Sequence, residues 1–192
     1  MPSRALTRRS SLLLPFLLAA CSRNAPRSFA PLHYGYLTPL RLNVAAIRIE
    51  QRFVPSGEPP DVSQLDPMPP ISALRNMAED RLQALGSSGQ AVFIIQEASL
   101  IQRDDTIQGS FAVELDLYTS ANTRAAFAEA RVMGTHTGDV DDLPSTLYDM
   151  TKDMMDRMNI EFEFQVRRSL GTWLLPEGAP QTPVQQQPLT QP

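Results

Sequence analysis

Cysteine is almost missing from this chain. Cys21 is the only one in 192 residues, so no intrachain disulfide forms, and stability has to come from packing. Histidine is nearly as scarce. His33 and His136 stand in segments without metal-ligand spacing, which leaves a zinc centre or a histidine-based triad without partners and both residues reading as solvated polar groups. A basic excess is missing too: Lys and Arg number 17 against 21 Asp and Glu, a net charge of −4, where a nucleic-acid binder shows a basic face. No apolar run approaches the roughly 20 residues of a membrane-spanning helix.

What the chain does have begins at its N-terminus. Arg4, Arg8 and Arg9 precede a short apolar run from Leu12 to Ala20, interrupted by Pro15. A basic region followed by an apolar stretch this short reads as a cleaved export signal over residues 1–20. Leu18, Ala19 and Ala20 stand directly before Cys21, and this order resembles the lipobox of bacterial lipoproteins. The resemblance implies that Cys21 is lipidated and becomes the first residue of the mature chain; an ordinary signal followed by a chance cysteine is the alternative. Thr7-Arg8-Arg9 looks like the start of a twin-arginine signal, but Ser11 stands where a phenylalanine is expected, so the export route stays open. With acyl chains on Cys21, each buried methylene adds about 0.8 kcal/mol of membrane affinity and several chains anchor the protein durably. Ser22 after the cysteine implies, by the same resemblance, the periplasmic face of the outer membrane rather than the inner membrane of a Gram-negative cell. Loss of residues 1–20 removes three arginines and no acid, which takes the net charge from −4 to −7.

Residues 21–39, with Pro26, Pro31 and Pro39, read as lipidated cysteine and extended tether, interrupted by Tyr34-Gly35-Tyr36, which suits docking on the chain's own domain or on a partner. The domain is expected over 40–175. Leu42, Val44, Ile47, Ile49 and Phe53 alternate with a phase slip at Ala45-Ala46, which predicts one half-buried strand with a bulge. Residues 54–70 hold six prolines, Pro59 and Pro60 among them, and are neither helix nor central strand. Ile71, Leu74, Ala78, Leu82 and Leu85 then give a helical series that Gly86 stops. Residues 90–100 are apolar on both parities, as in a central strand. From Thr106 to Tyr118, Ile107, Phe111, Val113, Leu115 and Leu117 face one way; from Arg124 to Met133, Ala126, Ala128, Ala130 and Val132 do the same. Tight connections make these three strands an antiparallel meander.

A second helix is predicted from the series Leu147, Met150, Met154, Met158, Phe162, Val166, Leu170 and Trp173. Asp139, Asp141 and Asp142 stand where a helix dipole favours negative charge, and Pro144 suits the first turn. Ile160 and Phe164 form a second apolar stripe. At about 1.5 Å per residue this helix reaches some 45 Å, longer than a small sheet needs, which leaves a projecting part for another molecule. Its methionines serve as core or as an adaptable surface. Residues 176–192, rich in proline and glutamine, read as a disordered tail.

The order β-α-β-β-β-α predicts an α+β two-layer sandwich, a mostly antiparallel four-stranded sheet with both helices on one face. With the lipobox, this order resembles the small envelope lipoproteins of Gram-negative bacteria, such as the lipopolysaccharide-assembly lipoproteins and the auxiliary lipoproteins of ABC-type lipid transporters; a separate lipoprotein family fits the same features. The resemblance implies membrane attachment through the lipid, a protein partner in the envelope, no cofactor and no catalytic residues. Phe162, Phe164 and Trp173, with Pro59 and Pro60 of the proline-rich loop, are the expected contact surface. Two other readings compete. One is a cell-envelope hydrolase using Asp139, Asp141 and Asp142 with His136 as base, or weak calcium chelation by the same loop; the other is a carrier holding a lipid or another apolar ligand under the methionines.

Overall fold

The computed structural model describes residues 28–138 and 140–176. Cys21, Leu18, Ala19, Ala20, Asp139 and the tail from 177 onward lie outside the described residues. The fold is α+β. Strands β1 (Leu40–Leu42) and β2 (Ala46–Gln51) are followed by helix α1 (Pro70–Arg81), β3 (Leu82–Ala84), the long strands β4 (Gln90–Arg103), β5 (Thr106–Tyr118) and β6 (Arg124–Thr137), and helix α2 (Leu143–Ser169). The main sheet has the order β2-β4-β5-β6, with β1 and β3 in a separate parallel pair.

The meander forms as the alternation predicts. β4 pairs antiparallel with β5, and β5 with β6, over nearly their whole lengths. Ile107, Phe111, Val113, Leu115 and Leu117 are buried, as are Ala128, Ala130 and Val132 opposite them, under both helices in one core. β2 adds to β4 in parallel, which requires the crossover that α1 supplies.

The first strand departs from expectation. The phase slip at Ala45-Ala46 is not a bulge but a change of sheet: Leu40–Leu42 pairs with Leu82–Ala84, and Ala46–Gln51 pairs with β4. Between them Val44 is buried and its carbonyl accepts from Gly86 N at 2.9 Å. Helix α1 stops at Arg81, before Gly86, because Leu82–Ala84 bonds to β1 instead of continuing the helix. The role of Gly86 is close approach: a Cβ there would lie 2.5 Å from the backbone carbon of Asn43. Residues 28–39, expected as tether, lie on the helices. Tyr34 is buried, Asn76 Nδ2 donates to Leu32 O at 3.0 Å, and the Phe29 ring sits 5.1 Å from that of Tyr148.

Helix α2 begins earlier than its apolar series, at Leu143, with Pro144 in the first turn and Asp142 accepting from Ser145 N. One apolar stripe is buried along its length, at Leu147, Met154, Met158, Phe162 and Val166, so it does not project beyond the sheet. The methionines are core: Met154, Met155 and Met158 are fully buried, while Met150 is partly exposed. Room for Met154 comes from a cross-strand glycine pair, Gly109 opposite Gly134; Cβ atoms there would come within 2.4 Å and 3.0 Å of its sulfur. The space under the methionines, where a carried ligand was one expectation, is filled by these side chains.

Replacing Gly86 by alanine sets a methyl group against fixed backbone. A loss of about 2–3 kcal/mol is expected, read as a lower urea midpoint with an unchanged m-value.

Candidate functional site

The residues expected to form one contact surface are not brought together. Phe162 is fully buried, edge-to-face against Phe93 at 5.5 Å, because it continues the Met154–Met158 stripe that α2 turns to the sheet. Trp173 is half-buried and its carbonyl accepts from Asn43 N at 2.8 Å, fastening the 3-10 turn after α2 to the end of β1. Pro59 and Pro60 are exposed, but their loop is bound to β4 beyond the end of β2: Gln102 N donates to Pro60 O at 2.8 Å, and Val62 N to Leu100 O at 2.9 Å. That is the end of β4 over which α2 begins, whereas Trp173 follows the end of α2. Of the expected set, Phe164 alone presents a large apolar surface.

A different cluster gathers beside it, organised by Arg81. This residue closes α1 and is fully buried. Its Nε donates to Thr38 O at 3.2 Å, Nη1 to Asn159 Oδ1 at 2.8 Å and Nη2 to Glu163 Oε2 at 2.6 Å. A guanidinium removed from water is tolerable only when its donors are satisfied, and here the segment before β1 supplies one acceptor and α2 two. Asn159 is itself oriented, Nδ2 donating to Met155 O at 3.0 Å, and Glu163 also accepts from Arg167 Nε at 2.8 Å. Burial works against the Glu163 carboxylate, but the bonds from Arg167 and Arg81 outweigh it and hold its pKa below the usual glutamate value.

Above the ion pair lies a groove of about 240 Å3 lined by Tyr36, Leu37, Arg81, Asp156, Ile160 and Glu163. Two large apolar side chains of the groove are exposed, Tyr36 at 75% and Ile160 at 73%, and Phe164, one turn farther along α2 and outside the lining, is 55% exposed. The site offers apolar surface over a locked ion pair.

His136 lies in a second groove of about 260 Å3 with Thr146, Asp149, Asp153 and Arg157 of α2. Asp142 is occupied elsewhere, accepting from Ser145 Oγ at 2.5 Å as the helix cap, and Asp141 is exposed. The acids near His136 thus come from the helix face rather than from the loop before it. Among the described residues no group of His, Cys, Asp or Glu is placed to hold a metal ion.

A second buried polar contact fastens α2 to the proline-rich loop. Asp66 accepts from Thr151 Oγ1 at 2.6 Å and from Met68 N at 2.9 Å, and burial pushes its pKa from 3.8 up to about 6. Sequence reasoning missed Arg81, Asn159, Asp66 and Thr151. A signal existed for Arg81, which falls at i+7 from Leu74 and i+3 from Ala78 on the apolar stripe of α1.

Arg81→Ala leaves the Asn159 and Thr38 oxygens without their donor and strips Glu163 of its inner partner. A loss of about 3–5 kcal/mol is expected by chemical denaturation, and a smaller one for Arg81→Met, which keeps the packing. For Asp66 the raised pKa means that the folded state holds the proton more tightly. Its linked stability is present below pH 3.8 and lost as pH rises through about 6. Asp66→Asn should therefore melt higher than the parent at pH 7–8, with the difference shrinking toward pH 4 in a series of thermal scans.

No protein-family model matches the chain, and no curated protein sequence does. Among solved structures, a candidate lipoprotein from Caulobacter crescentus CB15 aligns over 52% of this chain and 76% of its own, with 16% identity and a TM-score of 0.36. A minor lipoprotein from Acinetobacter baumannii aligns over 67% of this chain and 96% of its own, with 9% identity and a TM-score of 0.33. Neither superposition is close enough to bear on fold or role.

Proposed function

We propose that this protein is a lipid-anchored accessory of the bacterial cell envelope that works without catalysis, by seating a partner protein against the groove beside Arg81. The observation that carries the reading is the exposure of Tyr36 and Ile160 in that groove, with Phe164 exposed one turn farther along α2. Isolated exposed apolar residues are ordinary, but two large ones in a concavity with a third beside it on the same helix are what an interaction site presents. Supporting it at the sequence level are the basic region, the short apolar run and the lipobox-like Leu18-Ala19-Ala20-Cys21. Ser22 favours the outer membrane and its periplasmic face.

The anchor and the groove divide the work. Acylated Cys21 holds the domain at a membrane, while the network around Arg81, Asn159 and Glu163 fixes α1 and α2 so that the groove keeps its shape. A preformed site of this kind loses little entropy when the partner arrives.

Crosslinking in intact cells, followed by purification of the tagged protein and mass spectrometry, tests this. A stoichiometric envelope partner should be captured by the parent chain and lost with Ile160→Glu, Phe164→Glu or Cys21→Ala. The two helix substitutions sit on the exposed face and should leave the thermal midpoint within about 2 °C, since surface changes cost under about 0.5 kcal/mol. Capture that survives both helix substitutions would sink the groove as the docking site.

A further inference from the structure

The two edges of the main sheet are treated differently. On one side, β2 is six residues long and carries Arg48 and Glu50, with Arg52 following, and the rest of the β4 edge is covered by the 60–63 segment. Short, charged or covered edges resist pairing. On the other side, β6 runs for 14 residues with neither proline nor lysine. Among the described residues no strand pairs with its outer side.

Three further features single this edge out. An open groove of about 280 Å3 runs beside it, lined by Glu129, Ala130, Arg131, Glu161 and Gln165, so α2 does not close the edge off at its midpoint. The carbonyl of Met133 is turned to the edge, where Arg157 Nη1 donates to it at 3.0 Å; by the two-residue repeat of a strand, the N–H and C=O groups of Arg131, Glu129 and Phe127 are turned the same way. On the uncovered face these same residues read Phe127, Glu129, Arg131, Met133, and the outer two are 51% and 69% exposed.

That series is chemically palindromic about Ala130. We propose that β6 is a self-association edge, to which β6 of a second copy adds antiparallel with Ala130 opposite Ala130. In this register Glu129 meets the second copy's Arg131 and Phe127 meets its Met133, each contact occurring twice. The backbone parity agrees, because the residues that pair are the ones whose hydrogen-bonding groups face outward. A strand with the order apolar, acid, base, apolar at alternate positions is what this edge accepts, and β6 itself has that order. The two four-stranded sheets become one of eight strands, and the two α2 helices come to lie on the same face across the axis. Arg131 can serve both its own sheet, where it holds Glu97 at 2.7 Å, and the second copy, since a guanidinium has five donors.

The experiment is sedimentation equilibrium of the full chain in non-ionic detergent, with Glu129→Arg and Arg131→Glu as variants. The parent should be dimeric at tens of micromolar. Each variant alone brings like charges together twice and should weaken the dimer at least tenfold, with thermal melts confirming that both remain folded. Mixed in equal amounts they restore opposite charges at both contacts and should form a heterodimer of near-parental affinity. A parent that stays monomeric overturns the proposal, including the case in which the edge takes a strand of a different protein. A dimer indifferent to both substitutions, or a mixture that stays monomeric, overturns it as well.

Discussion

A single buried cation holds the domain's layers in relation to one another. Arg81 stands at the point where α1 ends, the chain enters β3 and α2 passes overhead, and it bonds to the segment before β1 and to two residues of α2 at once. An apolar side chain there would fill the same space without dictating which carbonyl, amide and carboxylate lie around it. The guanidinium does dictate this, since its donors lie in fixed directions in a plane and none can turn to water. The groove on the outside of this network inherits its form from it. Helix position, chain entry and surface shape are therefore one coupled property, and an alteration at any of Thr38, Asn159 or Glu163 is felt at the other two.

The opposite face of the sheet is sealed in another way. No helix covers it, yet Val92, Ile94 and Ala112 are buried there and lie outside the main core. Long charged side chains lie over them. Arg131 reaches Glu97 at 2.7 Å, Arg124 reaches Asp116 at 2.5 Å and also pairs with Glu114, and Arg48 and Arg52 each approach Glu50 at 3.7 Å. The exposed pairs at Glu50 add little Coulomb energy, and Asp116 is buried beneath Arg124; the aliphatic stems of the arginines keep water from the strip of apolar side chains beneath. On this face each acid named thus has an arginine beside it.

Much of the fold is legible in the sequence wherever one periodicity governs a whole element. The alternation in β5 and β6 and the 3.6-residue series in α2 name their own buried faces, and apolar residues on both parities place β4 at the centre of the sheet. The rest depends on partners distant in the chain. Nothing local shows that Leu40–Leu42 belongs with Leu82–Ala84, and that pairing is what splits the first strand and shortens α1. Gly109 and Gly134 look unremarkable until the register sets them opposite each other beneath Met154. At the candidate site, Phe164 and Ile160 could be named as a stripe, but exposure is a tertiary property, and by pattern alone Phe162 was as good a candidate for the surface. Arg81 was visible as a charge on an apolar stripe, a conflict that marks a buried polar network when the fold resolves it.

The early docking of the N-terminal segment also sets a distance. Among the described residues packing is already in place at Phe29, on Tyr148, well before residue 40. A lipid-bearing Cys21 would then be linked to the folded body by eight residue steps, a reach of at most about 28 Å at full extension, where a tether running to residue 40 has nineteen. A domain on so short a leash would explore only a shallow layer next to the bilayer. Whatever it meets has to come to that layer too, so its partners would be integral to the same membrane or held against it, and soluble components deep in the compartment would pass out of range.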